Sequence, residues 1–246
     1  MSPSWLTAGS GDPLVVLPGL GRGPETRATQ YRPLAHATGR TIHLLNRPTG
    51  LPRGISMSAL AALHAEAIAN RFSEPVDLLG VSTGGAIALQ LAVDRGHVIR
   101  RLVIAASASW LGAEGRSTLR KYGREVEAGR SGAATLASVL FPPRTRWFMQ
   151  GLLWFGTLFE RRDVPADMLA TIDAETAFDV TASLPEIAAP TLVISGARDY
   201  AFPLPLAEAT AAGIPNSRLI VYPRAGHIGT MMHPRFGADV ATFLNQ

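Results

Sequence analysis

The chain has no cysteine, which excludes disulfides, thiolate metal sites and a cysteine nucleophile together. It has one lysine, Lys121, so the high sequence pI of 10.1 rests on arginine, while the formal net charge is only +4. The arginines are scattered, and no basic run interleaves with aromatic residues, so a nucleic-acid partner is not expected. Long hydrophobic runs are missing too. The aromatic-rich uncharged stretch from Trp147 to Phe159 is shorter than a membrane span and is interrupted by Gln150, Gly151 and Gly156. No histidine pair has zinc spacing, so no metal is expected. The first residues, Met1-Ser2-Pro3-Ser4-Trp5, have neither the basic nor the apolar region of a secretory signal. These absences lead to the expectation of a soluble cytoplasmic protein. Hydrophobic residues make up 47% and charged residues 17%, a globular balance, and 246 residues are enough for one substantial core.

What is present is a series of short apolar runs, most of them ended by glycine, proline or asparagine. Leu14-Val15-Val16-Leu17, Thr41–Leu45, Pro75–Leu79, Arg101–Ala106, Thr191–Gly196 and Arg218–Tyr222 read as buried strands. Helical patterns lie between several of them, at Met57–Phe72 and after Gly85, and a last helix spans Phe236–Leu244. Strand alternating with helix predicts an α/β fold with a doubly wound, mostly parallel sheet. The alternation stops between residues 111 and 189, where the patterns are helical. Residues 1–110 and 190–246 are therefore expected to form the core domain, and 111–189 a helical insertion.

Gly80-Val81-Ser82-Thr83-Gly84-Gly85 is the most informative segment. A strand, a sharp turn with serine at its apex and a helix form the nucleophile elbow, which lifts the serine hydroxyl clear of the sheet. Serine needs a base, and the base needs an orienting carboxylate. In a parallel sheet these partners belong in loops at the C-terminal ends of strands. Asp199 follows the strand 191–196, and His227 follows the strand 218–222, which gives the order Ser82, Asp199, His227. His233 is the rival histidine, and Asp199 has the alternative reading of a helix cap before Pro203. The N–H of Thr83 and, from the loop Pro18-Gly19-Leu20-Gly21, the N–H of Leu20 are the expected oxyanion donors. A dinucleotide fingerprint starting at Gly19 would need glycine where Pro24 stands, and a phosphate-binding loop would need a lysine.

On these motifs, PGLG at 18–21, GVSTGG at 80–85, the strand and GARD at 191–199, and AGH ending at His227, the chain resembles the α/β-hydrolase superfamily over almost its whole length. Pro18 stands where many relatives have histidine, and the first hairpin is expected to be truncated to one strand near Trp5–Ala8. The resemblance implies a cofactor-free hydrolase of an ester, thioester, lactone or carbon–carbon bond, with 111–189 as a helical cap and a small molecule as substrate. The oligomeric state is not legible in the sequence. The aromatic stripe of the insertion suggests an apolar substrate, with Trp147, Trp154 and Phe155 as candidate pocket residues; the other reading places them in the core of the cap. A serine esterase is the first reading. A lyase or carbon–carbon-bond hydrolase on the same triad and a non-catalytic ligand receptor on this scaffold remain alternatives.

Overall fold

The computed structural model describes residues 4–20, 31–130, 132–141, 144–145, 147–149, 151 and 166–246. Among them, β1 (Trp5–Ala8), β2 (Pro13–Leu17), β3 (Thr41–Leu45), β4 (Val76–Val81), β5 (Ile99–Ala105), β6 (Thr191–Gly196) and β7 (Ser217–Tyr222) form one sheet in the order β1-β3-β2-β4-β5-β6-β7. β1 runs antiparallel to β3, and every other pairing is parallel. The strand near Trp5–Ala8 is present as an edge strand on β3, and it forms no hairpin with β2.

The central strands are continuous apolar runs because both faces of the sheet are covered. Register makes this explicit. Val15, Leu78 and Leu102 lie in one row and pack beneath α2 (Met57–Ala69) and α3 (Thr83–Arg95). Val16, Leu79, Val103 and Leu192, one residue on, form the opposite row under α1 (Arg32–Thr38) and α8 (Phe236–Leu244). α7 (Leu204–Gly213) joins the first face through Ala207 and Ala211 against Val193. One charge is buried within the sheet. Asp77 of β4 is fully buried and takes a bidentate pair from Arg100 at 2.8 and 2.7 Å, with Arg40 at 3.4 Å, which satisfies the carboxylate where water cannot reach it.

Between β5 and β6 the described chain forms α4 (Ala113–Glu127), α5 (Ala133–Leu140), α6 (Ala166–Ala177) and a short 3₁₀ segment, Thr181–Glu186. α4, α5 and one face of α6 share a core of Leu119, Tyr122, Val126, Val139, Met168 and Ile172, to which Phe202 from the loop after β6 is added. The other face of α6, Ala170 and Ala174, belongs to the core under α2 and α3. α6 therefore bridges the insertion and the sheet. It is also tied down by Asp167 accepting the Leu51 N–H at 2.7 Å and by the ion pair of Asp173 with Arg53. None of the described helices is long and apolar enough to cross a membrane.

Candidate active site

The chain leaves β2 toward β3 on one side and returns to place β4 on the other, so the ends of β2 and β4 flank the reversal point of the sheet. A crevice forms at the C-terminal ends of strands at such a point, and Ser82 stands there, between β4 and α3. Its backbone has φ 53 and ψ −122, a conformation that non-glycine residues rarely adopt. The turn is held by the Ser82 N–H donating to Ala105 O at 2.9 Å and by Gly85 and Ala86 N–H groups returning to Ser82 O. Two glycines make it possible. A Cβ on Gly84 would lie 2.1 Å from Leu17 O, and one on Gly80 would lie 2.6 Å from Gly84 O. The helix thus packs onto the sheet at a separation that no side chain permits.

His227 Nε2 lies 2.9 Å from Ser82 Oγ, and its Nδ1 lies 2.8 Å from Asp199 Oδ2. Nδ1–H donating to the carboxylate leaves Nε2 of the neutral ring as acceptor for the serine proton. Asp199 Oδ1 accepts the N–H groups of Ala201 and Phe202 at 2.9 and 3.0 Å. The helix-cap reading of Asp199 does not hold: the next helix begins at Leu204 behind Pro203 without a side-chain cap, and Oδ1 closes the turn after β6 instead. The loops after β6 and β7 are joined by Ala197 N–H to Tyr222 O and Arg198 N–H to Ala225 O, which fixes Asp199 relative to His227. The ring of Phe202 stacks on His227 with centroids 6.0 Å apart. Burial disfavours the charged imidazole, but the charge and hydrogen bond of Asp199, helped by the charge of Glu175, outweigh it and hold the His227 pKa above its ordinary value.

The competing residues are placed elsewhere. His233 stacks on Tyr222 at 3.8 Å and accepts the Arg235 N–H. His43 packs against Trp5 and Phe72, and buried His64 donates Nδ1–H to Leu60 O.

Ser82, Thr83, His227, Gly19 and Leu20 all line one cavity of about 350 Å³. The loop after β2 lies against the serine: a Cβ on Gly19 would be 3.3 Å from Ser82 Cβ. Among the described residues, neither the Leu20 N–H nor the Thr83 N–H has a hydrogen-bond partner. The described walls are mainly aliphatic, from Leu111, Leu119, Leu136, Val139 and Leu140, with Phe202 and Tyr31 also in the lining. The expectation for Trp147 is corrected here. Trp147 is 74% exposed, packs edge-on against exposed Phe148 and does not line the cavity, because α4 and α5 already form the wall over Ser82. Trp154 and Phe155 lie outside the described residues.

Sequence reasoning missed Glu175. It is 2% exposed, lines the same cavity and accepts the Thr83 hydroxyl at 2.8 Å through Oε2. Burial pushes its carboxyl up to about 7, against the Thr83 hydrogen bond and the positive charges of His227 and Arg47. The available signal was helical spacing. Met168, Thr171, Ile172 and Glu175 share one face of α6, and the first three are buried, so the glutamate had to be buried as well.

The chain belongs to the alpha/beta hydrolase family, whose profile matches residues 14–241, and it is an enzyme of that type. RutD of Klebsiella pneumoniae (strain 342), provisionally named a carbamate hydrolase, is 30% identical over 236 residues, covering 88% of this chain and 85% of RutD. Pimeloyl-(acyl-carrier protein) methyl ester esterase of Nitrosomonas europaea is 24% identical over 203 residues, covering 78% and 80%. Among solved structures, MGS-M2, an alpha/beta hydrolase enzyme from a Medee basin deep-sea metagenome library, superposes with a TM-score of 0.83 at 19% identity, covering 99% of this chain and 94% of that one. That last likeness is one of fold.

Proposed function

We propose that the protein hydrolyses small or medium carboxylic esters, thioesters or lactones through an acyl-enzyme on Ser82. The observation that carries this reading is the unbroken hydrogen-bond chain Asp199–His227–Ser82 at the floor of an apolar cavity. Ser82 Oγ attacks the carbonyl carbon while His227 Nε2 takes its proton. The new oxyanion accepts hydrogen bonds from the Leu20 and Thr83 N–H groups, a form of stabilisation worth about 10²–10³ in kcat per donor in other hydrolases. Collapse expels the leaving group, which receives the proton from Nε2. Water then attacks the acyl-enzyme with His227 again as base, and Ser82 is regenerated. No step calls for a cofactor or a metal.

The names of the two relatives, a carbamate hydrolase and a methyl ester esterase, fit hydrolysis at a carbonyl carbon. The insertion, residues 111–189, acts as the cap that selects the acyl or leaving group, and its leucines favour an apolar one. The test combines two measurements: labelling by a fluorophosphonate probe, located by peptide mass spectrometry, and turnover of p-nitrophenyl esters of graded length with lactones alongside. Labelling at Ser82 with turnover of at least one series is expected. Ester turnover by Ser82→Ala at the wild-type rate would overturn the proposal.

A further inference from the structure

Glu175 stands out because the proposed chemistry does not use it. Beyond the triad, the oxyanion loop and Tyr31, the described cavity walls are apolar, and burying a carboxyl there is unfavourable unless it has partners. One oxygen has such a partner, the Thr83 hydroxyl; among the described residues, Oε1 has none. Thr83 is also the residue after the nucleophile, so its side chain fixes the carboxyl within one side-chain length of the backbone N–H assigned to the oxyanion. α6 is in turn locked to the sheet side through Ala170 and Ala174 and to the insertion through Met168 and Ile172, so the carboxyl cannot easily swing away. A fixed polar group with a free acceptor, set in an apolar wall close to the reacting carbonyl, is how a pocket recognises one substituent.

We infer that Glu175 is a specificity-determining residue, which accepts a hydrogen bond from a hydroxyl or N–H group carried by the substrate a few atoms from the scissile carbonyl. The preferred substrate is then an apolar ester with one donor near the reacting carbon, not a plain alkyl ester. This inference rests on the Ser82 hydrolase reading. A site built around such a group discriminates far more strongly than an apolar wall does, because the analogue that lacks the donor leaves a buried acceptor unpaired.

The experiment compares p-nitrophenyl butyrate with its 2-hydroxy and 3-hydroxy counterparts in wild type, Glu175→Leu and Glu175→Gln. The readout is the ratio of kcat/KM for each hydroxy ester to that for butyrate, divided by the same ratio for hydroxide-catalysed hydrolysis. In wild type the corrected ratio is expected to exceed about 10 for at least one position, since a hydroxyl entering an aliphatic pocket without a partner would be penalised instead. Glu175→Leu should lower it at least tenfold, whereas Glu175→Gln, which keeps an acceptor oxygen, should stay within about threefold of wild type, given the range such contacts span. A corrected wild-type ratio at or below one overturns the inference without recourse to any variant. So does an equal fall for all esters in Glu175→Leu, which would make the carboxyl a brace for Thr83. Fluorophosphonate labelling of wild-type Ser82 separates the two readings: labelling without the hydroxy preference sinks only the role of Glu175, and no labelling sinks the hydrolase reading itself.

Discussion

Asp199 divides its two carboxylate oxygens between His227 and its own loop. Oδ2 meets His227 Nδ1 at 2.8 Å, while Oδ1 gathers the N–H groups of Ala201 and Phe202. The same side chain thus sets the tautomer of the base and the shape of the segment that carries Phe202 onto the imidazole. Asp199→Asn keeps the loop acceptor but turns an N–H₂ toward the ring and disfavours the productive tautomer. It should lower kcat by about 10³–10⁴, as comparable changes do in other triads, with little change in melting temperature. Asp199→Ala should lose the loop contacts as well and melt lower than Asp199→Asn. Ester kinetics with thermal melts check both, and equal melting of the two variants would refute the second role of Asp199.

The backbone of Ser82 stores strain. Holding a non-glycine residue at φ 53 and ψ −122 costs of the order of 1–3 kcal/mol, which glycine would not incur. Ser82→Gly and Ser82→Ala should both lose turnover and probe labelling, yet Ser82→Gly should be the more stable of the two. Chemical denaturation of the pair measures the difference directly. A more stable alanine variant would show that the turn is not strained.

The pH dependence follows from His227. Its pKa is raised, so the neutral base is lost on acidification from above the ordinary 6.5, and the acid limb of kcat/KM should have its midpoint above that value. Glu175 contributes to the rise when ionised. Glu175→Gln should therefore move the limb to lower pH, and an unmoved limb would show that the two groups are not coupled.

His64 makes a separate prediction for stability. Burial depresses it from 6.5 to about 4, so its contribution is present above 6.5 and is lost as pH falls toward 4; about 3 kcal/mol is at stake at 1.36 kcal/mol per unit. The unfolding free energy of wild type relative to His64→Leu should fall between those two values. Urea melts at pH 7.5, 5.5 and 4.5 read this out, and parallel curves would contradict it.

The cavity wall sets chain-length preference. Leu119→Ala or Leu136→Ala should favour longer acyl groups relative to acetate by about 10–200-fold, whereas exposed Trp147→Ala should leave the order of preference unchanged. Values of kcat/KM for acetate, butyrate and octanoate esters decide between the two walls.

The strands from β2 to β7 were legible because parallel strands covered on both faces are written as apolar runs, and proline or glycine punctuates most of their ends. The residues of the hydrogen-bonded triad were legible because a loop at a strand end is a small target, and Asp199 and His227 each fill one. α1 gave less to read: seven residues from Arg32 make barely two turns, too few for a periodic pattern. The pocket wall misled for a different reason. An aromatic cluster such as Trp147-Phe148 draws attention by its area, but side-chain size does not say which way a helix faces, and the leucines of α4 and α5 look ordinary. Glu175 was passed over because a charged residue is read as solvated unless its helical neighbours are counted.

The bond between Ser82 and His227 joins residues 145 apart in sequence. β2, β4 and β5 are all made by residue 105, whereas β6 and β7 follow only after the insertion. Contacts of such long range are slow to form, so the catalytic bond belongs to a late stage of folding. Activity is therefore a clock for the last docking event. In refolding from denaturant, recovery of ester turnover should lag recovery of helical circular dichroism. A chain released or cleaved before β6 would carry a complete nucleophile elbow and no hydrolase.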